Sequence, residues 1–331
     1  MYVIGGVEMK LPLIVGAGAC KTPASILPYM RPDVSVGAIC TGSYTPKQRS
    51  GNEGKLFYPD TFSDFIRGGF GLNSFGMPNA GFEAAANEFR SQYEHPVIAS
   101  VAGFSVDELV RGVEIFDVHP GIAATKLNLG CPNTENVPMA YDSGSLKEIS
   151  GQIERLKPKK PVWLKLSPYI TAEKRDALQE AHPHLDFSQV RVVEPWFLVE
   201  ILSIIWLCPY FRAVVFSNTL GNVIFRKDGK PVTTPNDGRA GLSGSILKPI
   251  NIDLMRQTAG MLPGARNIDL VGSGGVLHGD DAVDYFEGRA AAVCCTSGPF
   301  WSGNDPRFFA DFISGSERLQ DYLTQYQPKE D

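Results

Sequence analysis

The sequence predicts a (β/α)8 TIM barrel, an α/β fold, made by one domain over residues 1–331. The length fits such a barrel with insertions. Short apolar segments typical of buried strands alternate with segments typical of helices. Polar residues and glycines follow directly after several of these strands, and barrel enzymes place their sites at the carboxyl ends of the strands. We therefore expect a site at one end of the barrel.

The alternation can be followed along the whole chain. Strands are predicted over residues 11–15, 36–40, 96–101, 123–129, 162–166, 213–216, 269–271 and 290–294. Helices are predicted over residues 81–89, 105–116, 145–156, 172–181, 246–259, 280–286 and 306–326. Repeated strand-helix units of this kind favour a parallel sheet with helices packed outside it.

One stretch is longer than a single helix and strand need. It separates the strand that carries Lys165 from the strand that ends at Ser217, and we place an insertion there at about residues 171–212. The insertion includes a strongly apolar segment, residues 196–210, which is shorter than the roughly 20 residues of a bilayer span. We interpret this segment as a buried helix, with a partner-binding or membrane-surface patch as the alternative.

The alternative fold is a doubly wound open sheet, which would open with Gly-x-Gly-x-x-Gly after its first strand. Residues 16–21 read Gly-Ala-Gly-Ala-Cys-Lys and lack the third glycine. The barrel is therefore favoured. The small residues Ala17 and Gly18 would let a ligand approach the backbone closely before Lys21 presents a charge.

Composition limits the function classes. The net charge of -5 and the absence of a basic block argue against a nucleic-acid surface and favour small-molecule chemistry. The six cysteines form no Cys-x-x-Cys pair and the five histidines are scattered, so no metal site is expected. The first residues lack the pattern of a secretory signal or transit peptide, which favours a reducing, cytoplasmic location.

The centre of the expected site is residues 126–133, Lys-Leu-Asn-Leu-Gly-Cys-Pro-Asn. Gly130 ends the strand, so Cys131 lies at its carboxyl end between the carboxamides of Asn128 and Asn133. A thiol with an ordinary pKa of roughly 8.5 can take a proton near neutral pH, while carboxamides hold a ring in register. The alternative is a structural thiol, since free cysteines commonly lie in cores.

Two lysines and two loops suggest a phosphorylated cofactor. Lys21 and Lys165 both follow or close strands that should point to the same face of the barrel. Residues 272–275, Gly-Ser-Gly-Gly, and residues 296–298, Thr-Ser-Gly, offer clustered backbone N–H groups, and late barrel loops of this kind commonly hold a phosphate. The alternative is a pair of glycine turns.

Six motifs, in order, resemble those of the dihydroorotate dehydrogenases, flavoproteins built on an α/β barrel. The resemblance runs from about residue 11 to residue 301, apart from the insertion after Tyr169. The motifs are residues 73–79 (NSFGMPN), 128–133 (NLGCPN), 165–169 (KLSPY), 217–219 (SNT), 241–244 (GLSG) and 272–275 (GSGG).

The resemblance implies oxidation of dihydroorotate to orotate, a step of pyrimidine biosynthesis, in a homodimer. Cys131 would remove the proton from C5 while hydride passes from C6 to N5 of FMN. The implied substrate-binding residues are Lys21, Asn73, Asn128, Asn133, Asn218 and Thr219. The implied FMN-binding residues are Ala17, Gly18, Lys21, Ser43, Asn128, Lys165, Ser217, Gly244, Gly274, Gly275 and Thr296, of which the last three would lie near the phosphate.

The chain resembles two classes of the family at once. Cys131 takes the position of the base in the soluble class 1 enzymes, where membrane-associated class 2 enzymes have a serine. Class 1 enzymes also carry a lysine after the second strand, where this chain has Gly42. Lys21 resembles the class 2 arrangement, and we expect it to supply the cation near FMN and substrate.

The electron acceptor and the substrate have alternatives. The sequence has no N-terminal membrane segment of the class 2 kind, so we expect a soluble acceptor: fumarate, a nicotinamide or a partner flavoprotein. The same framework would suit a flavin-dependent oxidoreductase acting on another dihydropyrimidine-like ring. Two alternatives come from other functional classes. One is a flavin-free isomerase or lyase that uses Lys165, and the other is a non-catalytic barrel that binds a ligand.

Overall fold

Strands and helices alternate in the computed structural model, which describes residues 1–131, 138–261 and 268–326. The strands are β1 (Tyr2–Ile4), β2 (Val7–Met9), β3 (Leu13–Cys20), β4 (Ala38–Tyr44), β5 (Phe57–Tyr58), β6 (Phe70–Asn73), β7 (Val97–Val101), β8 (Ala124–Asn128), β9 (Val162–Lys165), β10 (Leu185–Asp186), β11 (Phe211–Phe216), β12 (Leu220–Lys227), β13 (Lys230–Pro231), β14 (Ala240–Gly244), β15 (Asp269–Ser273) and β16 (Ala292–Cys295).

The helices lie between the strands or follow the last of them. They are α1 (Phe62–Gly68), α2 (Phe82–Glu88), α3 (Val106–Asp117), α4 (Ser143–Leu156), α5 (Ala172–Ala181), α6 (Phe197–Leu207), α7 (Leu247–Met261), α8 (Gly279–Glu287), α9 (Ser297–Trp301), α10 (Phe308–Ser314) and α11 (Glu317–Gln325). Short 3-10 helices cover Ala24–Tyr29, Met139–Tyr141 and Pro235–Gly238. The predicted closing helix is divided in two at Gly315.

Within the described residues, eight parallel strands close into a barrel in the order β3, β4, β7, β8, β9, β11, β15, β16 and back to β3. Each corresponds to one of the predicted strands, and the barrel prediction is confirmed. Helices cover the outside because each connection must return from the carboxyl end of one strand to the amino end of the next.

Side-chain alternation along β8 places polar groups inside the barrel. Ala124 belongs to the apolar cluster inside the barrel, whereas Leu127 belongs to the larger cluster between the barrel and its helices. Because successive side chains of a strand point to opposite faces, Lys126 shares the inner face with Ala124. Asn128 continues that face to the carboxyl end, where it meets the cavity described below.

A hairpin that the sequence did not indicate closes the amino end of the barrel. Strands β1 and β2 pair antiparallel, and Ile4 is buried in the inner cluster. Trp163 donates from Nε1 to the carbonyl oxygen of Gly5 at 2.9 Å, and the Gly5 N–H donates to Oδ2 of Asp269 at 2.6 Å. Because Trp163 and Asp269 stand at the start of β9 and β15, these bonds attach the hairpin to the amino ends of both strands.

An antiparallel sheet lies across the carboxyl end of the barrel. Its order is β10, β12, β14, β6, β5, with β13 paired to β12. Its strands come from three connections that leave that end: β5 and β6 follow β4, β10 follows β9, and β12 to β14 follow β11. The pairing of β6 with β14 sets Asn73 opposite Gly241. We refer to these strands as the accessory sheet.

The predicted insertion contains α5, β10 and α6. Helix α6 contains most of the apolar segment and buries one face, including Leu198, Ile201 and Ile205, against the outer cluster. An ion pair of 3.6 Å between Lys147 and Glu200 joins α4 to α6. The predicted helix is therefore present, but it is buried on one face only, and Val199 and Leu207 on the other face are exposed. Within the described part of the chain, no helix combines the length and apolar character needed to cross a bilayer.

Candidate active site

A cavity lies at the carboxyl ends of the barrel strands, next to the accessory sheet. Most of the residues predicted for the site line it, and Gly244 lies directly behind the lining beside Ser243. Asn133 lies outside the described residues. The predicted residues that line the cavity are Ala17, Gly18, Lys21, Ser43, Asn73, Asn128, Cys131, Lys165, Ser217, Asn218, Thr219, Gly274, Gly275 and Thr296.

A chain of side-chain hydrogen bonds crosses one side of the cavity. Nδ2 of Asn218 donates to Oδ1 of Asn128 at 2.8 Å, and Nδ2 of Asn128 donates to Oγ of Ser43 at 2.8 Å. Oδ1 of Asn218 also accepts from the backbone N–H of Thr219 at 2.9 Å. These bonds join the ends of three barrel strands and fix both carboxamides, so that they meet a ligand in a defined orientation.

Asn73 enters the cavity from the accessory sheet. Its Nδ2 donates to the carbonyl oxygen of Gly241 at 3.3 Å, across the β6 and β14 pair. Barrel strands and accessory sheet thus both supply carboxamides. Each carboxamide carries a donor and an acceptor, which suits a ring whose edge alternates N–H and C=O groups.

Cys131 follows β8, and its side chain is half-buried. The chain can approach β9 closely here because Gly130 has no side chain: a Cβ on Gly130 would lie 2.7 Å from Oγ of Ser167. The backbone N–H of Leu129 donates to the carbonyl oxygen of Lys165 at 3.1 Å, which holds the end of β8 against β9. The thiol therefore reaches the same cavity as Lys165.

Lys165 is the lysine of the cavity whose pKa departs most from its ordinary value. Its pKa is lowered to about 8, chiefly by burial and also by the neighbouring ammonium of Lys126, while Cys294, Cys40 and Cys131 act in the opposite direction. An ammonium with such a pKa can hold or release a proton near physiological pH. The cavity therefore contains a cation whose charge responds to its surroundings.

Lys21 lies against an aromatic wall. Its Nζ is 3.7 Å from the ring centroid of Phe75 and 5.5 Å from that of Phe300, within range of cation–π attraction. Burial lowers the pKa of Lys21. Phe57 and Trp301 complete the wall, with ring centroids 5.3 Å apart. Sequence reasoning missed Phe57, Phe300 and Trp301, since no motif marks them and only the fold joins them.

The glycine loops bring the backbone close to the cavity. Gly274 and Gly275 have φ angles of +111° and +68°, which side-chain-bearing residues rarely adopt. A Cβ on Gly275 would lie 2.8 Å from the carbonyl oxygen of Gly244, so Gly244 lies beside this turn although it does not line the cavity. A Cβ on Gly18 would lie 2.6 Å from Cγ2 of Thr296. In the described residues, no group of three or more His, Cys, Asp or Glu side chains could hold a metal ion.

Comparison with known proteins agrees with this architecture. The family model described as dihydroorotate dehydrogenase matches residues 2–196 and 207–315. A similar protein is the catalytic subunit of dihydroorotate dehydrogenase B (NAD(+)) from Fusobacterium nucleatum subsp. nucleatum. It is 27% identical over 327 residues, which cover 97% of this chain and 93% of the relative. The subunit of the same name from Geobacillus sp. (strain WCH70) is 26% identical over 302 residues, covering 89% of this chain and 83% of the relative.

A solved structure supports the fold alone. The chain aligns with the dihydroorotate dehydrogenase of Eimeria tenella, crystallised in complex with ferulenol, with a TM-score of 0.70 and 17% sequence identity. The alignment covers 99% of this chain and 88% of the other. Since the family model matches most of the sequence, the chain belongs to the dihydroorotate dehydrogenase family.

Proposed function

We propose that this chain is an FMN-dependent oxidoreductase that oxidises dihydroorotate to orotate in pyrimidine biosynthesis. One observation carries the proposal beyond family membership: a thiol, a lysine and three carboxamides from distant parts of the chain line one cavity. These groups are Cys131, Lys165, Asn73, Asn128 and Asn218.

The residues around the cavity fit a flat, phosphorylated flavin. The tight turn at Gly274 and Gly275 leaves no room for side chains, and Thr296 lines the cavity with its hydroxyl beside Gly16 and its methyl group beside Gly18. A phosphate would bind to the backbone N–H groups of this turn and to that hydroxyl. FMN, when bound, accepts the hydride that leaves the substrate. Lys165 and Lys21 would supply positive charge beside its ring.

The carboxamides would hold the pyrimidine. Asn128 and Asn218 are fixed by their mutual hydrogen bond, and Asn73 reaches the cavity from the accessory sheet. Thr219 stands beside Asn218, and Asn133 would join them from the segment outside the described residues. The thiol of Cys131 would take the proton from C5 of the substrate, because it is the acid–base group that follows β8 at the cavity.

The names of the relatives favour one electron acceptor. Both bacterial relatives are called catalytic subunits of an NAD(+)-linked enzyme. We therefore infer that electrons leave this chain through a partner subunit toward a nicotinamide, rather than directly to fumarate. The homodimer and the cytoplasmic location stay predictions.

Anaerobic flavin reduction tests the proposed function. Protein purified with FMN is expected to be yellow, and its visible absorbance should bleach when dihydroorotate is added without oxygen. A panel of other dihydropyrimidines is the control for substrate identity. If one of them bleaches the flavin and dihydroorotate does not, that compound is the substrate and the proposed substrate is wrong. Protein that stays colourless after FMN addition would favour a flavin-free isomerase or a binding protein.

A further inference from the structure

A buried lysine lies beneath the floor of the cavity. Lys126 is only 2% exposed, and its Nζ donates to Sγ of Cys40 at 2.7 Å. Lys126 stands on β8 and Cys40 on β4, with β7 between them in the barrel. A contact between strands that are not neighbours must cross the barrel interior, so the Lys126 ammonium lies inside the barrel.

This ammonium lies among apolar groups. The inner cluster that contains Cys40 and Cys294 is otherwise made of residues such as Ile14, Val215 and Val271. Of the described acidic side chains, none forms an ion pair with Lys126. A buried charge without a carboxylate partner costs free energy, and an apolar residue would fill a barrel layer at lower cost. Stability therefore does not explain why a lysine occupies this position.

We propose that Lys126, held against Cys40, is a positioning residue that acts through Lys165, so that the buried pair sets the charge that Lys165 presents to the flavin. This inference rests on the proposed function, because it assumes that FMN occupies the cavity above. It does not require that dihydroorotate is the substrate.

Lys126 and Lys165 point into the barrel from neighbouring strands: β8 pairs with β9, and Asn128, two residues after Lys126 on the same face, is the partner of Lys165. The electrostatics around Lys165 agree with this geometry. The charged and titratable groups that face Lys165 are Lys126, Cys294, Cys40 and Cys131. Lys126 lowers the pKa of Lys165 because two ammonium groups repel each other, whereas the cysteines act in the opposite direction, since a thiolate attracts an ammonium. The pKa of the Cys294 thiol is raised to about 11, chiefly by burial, and Lys126 acts against this rise. The two members of the pair therefore act on Lys165 with opposite sign.

Titration of the bound flavin tests the inference without substrate. The visible absorbance of the oxidised holoprotein is followed against pH, and the inflection due to Lys165 is identified by its loss in Lys165→Met. In Lys126→Met this inflection should move upward by roughly one pH unit, the scale of like-charge effects between neighbouring groups. In Cys40→Ser it should move downward. A defect of packing alone would not move the inflection upward in one of these variants and downward in the other.

A matched control removes the same charge at the other end of the barrel. Lys160 lies just before β9, at its amino end, and Lys160→Met should leave the inflection unchanged. If Lys126→Met does not fold, Lys126→Gln must give the same upward movement. An unmoved inflection in both Lys126→Met and Cys40→Ser, or movement in the same direction, overturns the inference. Wild-type protein that binds no FMN would instead refute the proposed function, and this inference with it.

Discussion

The thiol of Cys131 is the single side chain on which the proposed chemistry depends most. Replacing Cys131 by serine should leave FMN bound but slow its anaerobic reduction by dihydroorotate. General-base groups contribute about 100- to 10,000-fold, and we expect a loss in that range because a hydroxyl is a far weaker acid than a thiol. The loss should lessen as pH rises. Stopped-flow measurement of flavin bleaching across pH checks the prediction.

A second cysteine provides the control for Cys131→Ser. Cys208 follows α6, outside the barrel interior, and does not line the cavity. Cys208→Ser should therefore bleach at the wild-type rate. Equal rates for Cys131→Ser and the wild type at every pH would exclude Cys131 as the base.

Among single residues, the sequence predicted the polar side chains at the ends of strands. It missed the polar contact inside the barrel. Lys165, Asn128 and Asn218 stand at strand ends, where a parallel barrel must gather them. Lys126 reads as part of a buried strand, and only closure of the barrel brings it to Cys40, 86 positions away. A contact across the barrel depends on strand tilt and register, which local patterns do not contain.

Among the elements, β15 and its glycine loop leave little room for larger side chains. A Cβ on Gly272 would lie 2.3 Å from Cδ1 of Tyr285, whose hydroxyl donates to the carbonyl oxygen of Gly274 at 2.7 Å. Gly272→Ala should push Tyr285 away and disturb the proposed phosphate loop. We expect a loss of about 1–3 kcal/mol in unfolding free energy, typical of overpacking, together with weaker FMN binding. Chemical denaturation and fluorescence titration with FMN measure the two effects.

Gly260 in α7 is the matched control for Gly272→Ala. Among the described residues, apart from its chain neighbours and the backbone of its own helix, no atom would lie within 4 Å of a Cβ on Gly260. Gly260→Ala should raise the unfolding free energy slightly, by at most about 1 kcal/mol, because alanine favours a helix over glycine. It should not alter FMN binding. Unchanged stability and FMN affinity in Gly272→Ala would contradict the proposed crowding.

The accessory sheet shows why some elements could not be predicted. The strands predicted from the sequence do not include residues 70–73, yet Phe70–Asn73 forms β6. Its partner β14 lies about 170 positions further along the chain. Such long-range pairing leaves little trace in a four-residue pattern. The barrel strands, in contrast, each pair with a strand supplied by the next repeating unit, so alternation alone predicts them.

For the molecule as a whole, the hairpin at the amino end makes stability depend on pH through Asp269. Burial raises the pKa of this carboxyl, although the Gly5 N–H and Arg212 act against the rise. A raised folded-state pKa gives stability that is fully present below the ordinary value of about 3.9 and is lost as pH rises through the raised value. Asp269→Asn removes this titration and keeps an oxygen for Gly5.

The expected result is a pH-dependent difference between Asp269→Asn and the wild type. The variant should gain unfolding free energy relative to the wild type as pH rises from about 4 toward neutrality, since only the wild type must then bury a charge. Denaturant unfolding at a series of pH values measures the difference. A difference that is constant across this range would show that Asp269 does not titrate on unfolding.

The cavity can be filled from the carboxyl end of the barrel. The inner cluster packs the barrel beneath the cavity, and β1 and β2 cover the amino end. If FMN lies against Lys165 and the pyrimidine above it against Asn73, the order of filling is fixed: the flavin must enter first. Excess dihydroorotate should then delay the uptake of FMN by the flavin-free protein. The fold would thus determine the order in which the two molecules bind.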